Sequence, residues 1–194
     1  MFWNARYGNV TGKAACYVVG VGTAAQLRQQ AAAFFFGTPG YLRLETGAEP
    51  DVYRMVLPKN GPRTDLRAGS IAPFEIEFSA KPELYLKSGE LPVLLPASGA
   101  VLSNPTGFAA KPLITVRGDG AGSLFVNGTE CRFLSLDASC TLDCSIQDAY
   151  KGDENKHGTV AIAEYPVLAA GETVITWTGG IQSVEVVPRW CYIA

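Results

Sequence analysis

The sequence predicts a mainly β protein: an N-terminal β domain carrying one α-helix, then a second all-β module, a sandwich or small barrel. Three observations carry the β reading and the division into two. Only one stretch of the 194 residues combines a helical apolar period with signals at both ends. Asn127-Gly128 stands between two apolar runs, and that dipeptide favours a tight hairpin because both of its residues tolerate positive φ. Between them, 89–110 is crowded with Pro, Gly, Ser and Ala, including Pro92, Pro96 and Pro105, which marks an extended arm and a domain boundary.

The elements follow in order. Lys13 to Val21, rich in Val, Tyr and small residues, reads as a strand. Thr23 with Gln26 three positions later forms a capping box, so a helix is expected over 23–36. Its apolar stripe is Leu27, Ala31, Phe34 and Phe35, and Gly37 and Pro39 end it. Tyr41–Leu44 and Tyr53–Leu57 are strand candidates around a turn at Thr46–Pro50. Phe74, Ile76 and Phe78 alternate with Glu75, Glu77 and Ser79, the pattern of a half-buried strand. This completes a domain over 1–88.

The second domain, 111–194, is read as several short strands with turns between them. Leu113–Val116 precedes a glycine loop, Gly118–Gly122. Ser123–Val126 and Thr129–Leu134 flank Asn127-Gly128. Leu142, Cys144 and Ile146 alternate as a strand does, and Thr173–Thr178 and Ile181–Val187 flank Gly179-Gly180 as a second hairpin. No internal repeat is visible.

Composition narrows the function classes. The net charge is −2 with 16 scattered Lys and Arg, which is no basic footprint for nucleic acid. The run Ala31–Phe36 is far short of the roughly 20 apolar residues that span a bilayer, so no membrane partner is expected. MFWNARYGNV lacks the parts of an export signal, and five cysteines cannot all pair. The expectation is a chain made in a reducing cytoplasm, with buried free thiols, and kept there or released by lysis. Only 18% of residues are charged, which suits a subunit buried against partners.

Each candidate site has a plainer explanation. Glu75 and Glu77 share a strand face like paired catalytic acids, but solvated charges on the outside of a sheet are the commoner case. Gly118–Gly122 resembles a phosphate loop, yet a strand rather than a helix follows and no Lys-Ser/Thr pair is present. Cys140 and Cys144 on one strand would stand about 13 Å apart, too far to share a bond or an ion. His157 sits in a polar loop with no neighbouring nucleophile, and Asp153 and Glu154 lack calcium-loop spacing. Asn127-Gly128-Thr129 matches a glycosylation pattern, but the turn accounts for it. No catalytic residue, metal or cofactor is expected.

Longer stretches carry a resemblance. Thr38–Glu45 (TPGYLRLE) and Glu49–Arg54 (EPDVYR), then Lys81-Pro82 and Tyr85–Glu90 (YLKSGE), are similar to the "GYxRLE…PDxYR" and "KPxxYLKSGE" regions of phage distal tail (Dit) proteins. Asn104–Thr106, Lys111–Ile114, Asp148–Gly152, Pro166–Leu168, Gly171–Thr173 and Val187–Trp190 continue the match in the same order, from about Arg6 to near the end. The resemblance implies a non-enzymatic virion subunit of a long, non-contractile phage tail, assembled in the host bacterial cytoplasm. It implies a homohexameric ring built by the N-terminal domain at the far end of the tail tube, with a C-terminal β-sandwich of galectin-like or carbohydrate-module-like type turned towards tail-tip, baseplate and receptor-binding components used in host attachment. Family members usually carry further β-strands before the position of Arg6, so a truncated, misassigned or compact N-terminus is expected here. A second expectation, from another class, is a carbohydrate-binding module offering Trp177, Trp190 and Tyr165 to host-surface glycans.

Overall fold

A computed structural model describes residues 8–19, 22–37, 39–61, 71–95 and 97–193. The expectations resting on Arg6, Gly20, Val21, Thr38 and Pro96 lie outside the described residues. The chain is mainly β, as the sequence predicts, and its described residues form one α-helix and two antiparallel sheets. It divides into two compact units, with the boundary between Leu84 and Tyr85.

The first unit holds β1 (Val10–Val19), α1 (Ala24–Phe36), β2 (Leu42–Thr46), β3 (Glu49–Pro58) and all but the last two residues of β4 (Ile71–Leu86), in the sheet order β1-β4-β3-β2. The predicted capping box is present: the Gln26 N–H donates to Thr23 Oγ1 at 3.4 Å, and the Thr23 N–H donates to Gln26 Oε1 at 2.8 Å. These bonds satisfy donors that a first helical turn leaves without partners. Gly37 closes the other end, its N–H donating to Ala33 O. Thr46 pairs with Glu49, so the expected longer turn is the two-residue Gly47-Ala48. Leu27 and Ala31 are buried, and Ala31 packs with Phe74 and Ile76 of β4.

The second unit carries β5 (Val93–Leu95), β6 (Ala100–Asn104), β7 (Leu113–Val126), β8 (Thr129–Asp143), β9 (Asp148–Lys151), β10 (Glu154–Asn155), β11 (Val160–Ile162), β12 (Gly171–Val187) and β13 (Cys191–Ile193). Three long strands, β8, β7 and β12, lie side by side and run through both halves of its sheet. One half adds β5 on residues 184–186 of β12 and β9 on residues 141–143 of β8. The other half adds β6 on residues 171–175 of β12 and β11 on residues 131–133 of β8.

The register slips between the halves, at Gly120/Gly122 of β7 and Gly179/Ile181 of β12. In β8 the slip changes the buried set from Cys131 and Phe133 to Leu136, Cys140 and Leu142. Side chains alternate with period two, so only an extra residue can switch which parity faces inward. Both halves therefore bury their inner faces in one cluster that includes Ile114, Leu124, Phe133, Leu142, Ile175 and Val186. Strands that pass from one layer to the next through bulges are the construction of a bent sandwich.

Four local expectations are corrected. Gly118–Gly122 is not a loop, and Gly179-Gly180 is not a hairpin turn: each lies inside a continuous strand, β7 or β12, at the bend. A Cβ on Gly180 would collide with Asp119 O, and one on Gly118 with Gly180 O, so glycine is needed there for close approach of two backbones. The alternation through Cys144 and Ile146 does not continue a strand. β8 ends at Asp143, and residues 144–147 form a turn with Gln147 at φ 58°. Over 89–110, where composition predicts an extended arm, the chain forms β5 and β6, both paired with β12. Asn127-Gly128 does make the predicted hairpin, with φ of 47° and 86°.

Candidate functional site

The predicted site residues are dispersed. Glu75 and Glu77 lie on the outer face of the first sheet, paired with Lys13 at 3.0 Å and Lys59 at 3.6 Å. His157 Nε2 is 2.7 Å from Asp148 Oδ1, and Glu154 pairs with Lys156. Among the described residues no nucleophile is bonded to the His157 pair. Cys131, Cys140 and Cys144 are free and buried, and burial pushes their thiols up to about 12, 11 and 12. A thiol so placed is protonated at neutral pH and a poor nucleophile or metal ligand. Among the described residues no group of three or more His, Cys, Asp or Glu could hold a metal ion, and no helix is long and apolar enough to cross a membrane.

The aromatic candidates for sugar contact do not form a platform. Trp177 and Trp190 are core side chains, 9% and 7% exposed, and Tyr165 packs half-buried against the same cluster. Period two explains Trp177: it falls on the inward face of β12 with Thr173 and Ile175. A sugar ring stacks on an exposed aromatic face, and these two indoles do not offer one.

Two features were not legible. The first is an apolar groove in the first unit, about 450 Å³, between the end of α1 and the sheet. Leu42, Leu44, Val56, Ile76 and Phe78 line it, with Arg43 and Glu45 beside them. Phe34 belongs to the helix stripe, as the sequence predicts, yet it is 75% exposed. Its ring leans edge-on against Phe35 at 5.0 Å and borders the groove. Nothing local in the sequence distinguishes an overhanging stripe residue from a packed one.

The second is a buried polar clip. Arg189 grips Asp143 with two hydrogen bonds, 2.7 and 3.0 Å, and Asp143 Oδ1 also accepts the Ser145 N–H. Burial alone would raise the Asp143 carboxyl. The Arg189 bonds and charge, with the backbone N–H groups of Ser145 and Ile146, outweigh it and hold the carboxyl below its usual range. Arg189 takes a left-handed φ of 56° and its N–H donates to Gly89 O, while the Leu86 N–H donates to Trp190 O. The start and end of the second unit are thereby tied together. Asn104 is a second buried tie: its Nδ2 donates to the carbonyls of Phe108, Leu168 and Ala169, and its Oδ1 accepts the Thr106 N–H. Arg189 and Asn104 fall within segments that carry the family resemblance, and Asp143 does not.

What these units define is a two-part, mainly β scaffold. Among solved structures, the chain is similar to the Dit (gp 19.1) protein of phage SPP1, described as a paradigm of the hub adsorption apparatus in phages infecting Gram-positive bacteria. The match has a TM-score of 0.64 at 12% identity, and covers 92% of this chain and 77% of that one. The chain thus has a distal-tail-protein fold, as the resemblance in its sequence implies. No family profile and no curated protein matches the sequence.

Proposed function

We propose that the chain is a structural subunit of a phage tail hub. Copies of it form a ring, a homohexamer, at the distal end of a long non-contractile tail, through the domain over 1–88. The ring joins the tail tube to the tail tip and receptor-binding components, and the domain over 111–194 is turned towards the latter. The protein acts as a scaffold in the virion and turns over no substrate.

The observation that supports this reading most is the fold shared with a phage hub protein over 92% of the chain. The thin charge and the uncovered groove beside Phe34 agree with a surface that is buried in an assembly. The test is light scattering and negative-stain imaging of the purified full chain. Rings with a central pore are expected; a chain that stays monomeric at high concentration overturns the proposal.

A further inference from the structure

The outward face of the second unit's sheet carries, near the Asn127-Gly128 hairpin, a set of groups that its core does not use. Leu124 and Val126 of β7, Cys131 and Phe133 of β8, and Ile175 and Trp177 of β12 are buried, so the residues between them point away from the core. The register arranges these in rows. Thr176, Phe125 and Glu130 stand side by side across β12, β7 and β8, and Thr178, Ser123, Arg132 and Ala161 form the next row, which reaches β11. Val174 and its partner Val101 lie diagonal to Phe125 and are 45% and 51% exposed. Phe125 is therefore a half-buried ring in the middle of the face, with apolar neighbours on one side and polar ones on the other. Ser123 Oγ donates to Glu130 Oε1 at 2.7 Å and fixes that carboxylate. Arg132 is exposed, and among the described residues no group bonds its guanidinium. Beside both runs a cleft of about 690 Å³, whose lining includes Thr129, Glu130, Arg132, Ala161, Ala163 and Glu164.

We infer that this face binds a neutral saccharide, with Phe125 as the stacking surface and Glu130 and Arg132 as its hydrogen-bonding groups. A pyranose presents C–H groups on one face and hydroxyls around its rim. The first suit an aromatic ring, and the second suit groups that accept and donate from fixed positions. Glu130 supplies acceptors and Arg132 donors. Two same-face positions of one strand stand about 7 Å apart, which matches the width of a sugar ring. The cleft falls within the range of about 300–1,000 Å³ common for small-ligand sites. A protein partner suits the face less well, because the core of a protein interface is depleted of charge and here a carboxylate and a guanidinium adjoin the central ring. Glu130 and Glu164 outnumber Arg132 at the cleft, which disfavours an acidic sugar. Trp177 and Trp190 take no part, since both are buried in the core.

Saturation-transfer NMR and calorimetric titration of the full chain with maltotriose, cellotriose, lactose and triacetylchitotriose test this, with trigalacturonate as the acidic probe. At least one neutral probe should bind, and trigalacturonate should not. Arg132→Ala and Glu130→Gln change exposed side chains and should each weaken that binding roughly tenfold or more, the loss of a hydrogen bond to a charged group. Phe125→Leu keeps an apolar side chain, removes the ring and should weaken binding roughly fivefold. Glu185→Gln, on the other half of the sheet, is the control and should leave the affinity unchanged. Binding of trigalacturonate alone, binding of no probe, or binding that the three variants leave unchanged overturns the inference. So does self-association that Arg132→Ala abolishes while no saccharide binds, which would make the face a contact between copies. A chain that binds a neutral saccharide and forms no ring supports this inference and overturns only the hub reading.

Discussion

Replacing Gly180 by alanine adds one methyl group where β12 passes closest to β7. The new Cβ would collide with the Asp119 carbonyl oxygen, and would stand 2.8 Å from the Asp119 carbonyl carbon and 3.4 Å from Ala121 O. All three are backbone atoms of a paired strand, so no side chain can rotate aside and the strands themselves must part. Overpacking in a tight interior costs about 1–3 kcal/mol. Loosening one neighbouring ladder bond adds about 1 kcal/mol. Alanine also stiffens the unfolded chain, which returns about 0.4–1 kcal/mol. The net expectation is a loss of about 2–3 kcal/mol, or roughly 8–15 °C in Tm for a unit of this size. Gly158→Ala is the control: no atom lies within 4 Å of its added Cβ, and the change should stay within about 0.5 kcal/mol. Urea unfolding followed through Trp177 and Trp190, both in the second unit's core, measures the difference. If Gly180→Ala matches Gly158→Ala, the bend does not depend on close contact of β7 with β12, and the account of the glycines is wrong.

Two further outcomes follow from the buried groups. Asp143 has a carboxyl held below its usual range, so its contribution is complete above the unfolded value near 3.9 and is lost as pH falls through the lower folded value. Asp143→Asn should destabilise the second unit by about 1–3 kcal/mol at pH 7, and its stability should fall less steeply than the wild type's from about pH 4 downwards; parallel acid unfolding curves would refute the clip's role. The buried thiols of Cys131, Cys140 and Cys144 should resist a disulfide reagent at pH 8 in the folded chain, whereas Cys16, partly buried in the first unit, should be labelled earlier. Peptide mapping of the labelled sites decides this, and simultaneous labelling of all four would count against the burial of the three.

Local signals in the sequence were reliable where the structure is decided locally. Thr23 and Gln26 satisfy each other across one helical turn, and Asn127-Gly128 makes its turn from its own backbone preferences. Gly179-Gly180 shows the opposite case. The dipeptide suits a hairpin or a bulge equally well, and the deciding partners, Asp119 to Gly122, lie about sixty residues away. The same holds over 89–110. Pro, Gly and Ser disfavour regular structure locally, yet Val93–Leu95 and Ala100–Asn104 find strand partners on β12, far along the chain. Cys144 and Ile146 matched a two-residue period by coincidence, on a turn that Asp143 and Gln147 shape. The groove was illegible for a related reason. Helical periodicity gives the direction Phe34 faces, but not whether anything stands there to meet it.

The hydrogen bonds that join Leu86 to Trp190 and Gly89 to Arg189 have a consequence for how such a protein can diversify. Polypeptide suspended between two neighbouring anchor points can lengthen, shorten or be exchanged without changing the distance between the anchors. The exposed turn at Gly152 is a site where added residues would enlarge the suspended body and leave its attachment untouched. A lineage could then vary what the second unit displays while the flanking chain keeps its spacing.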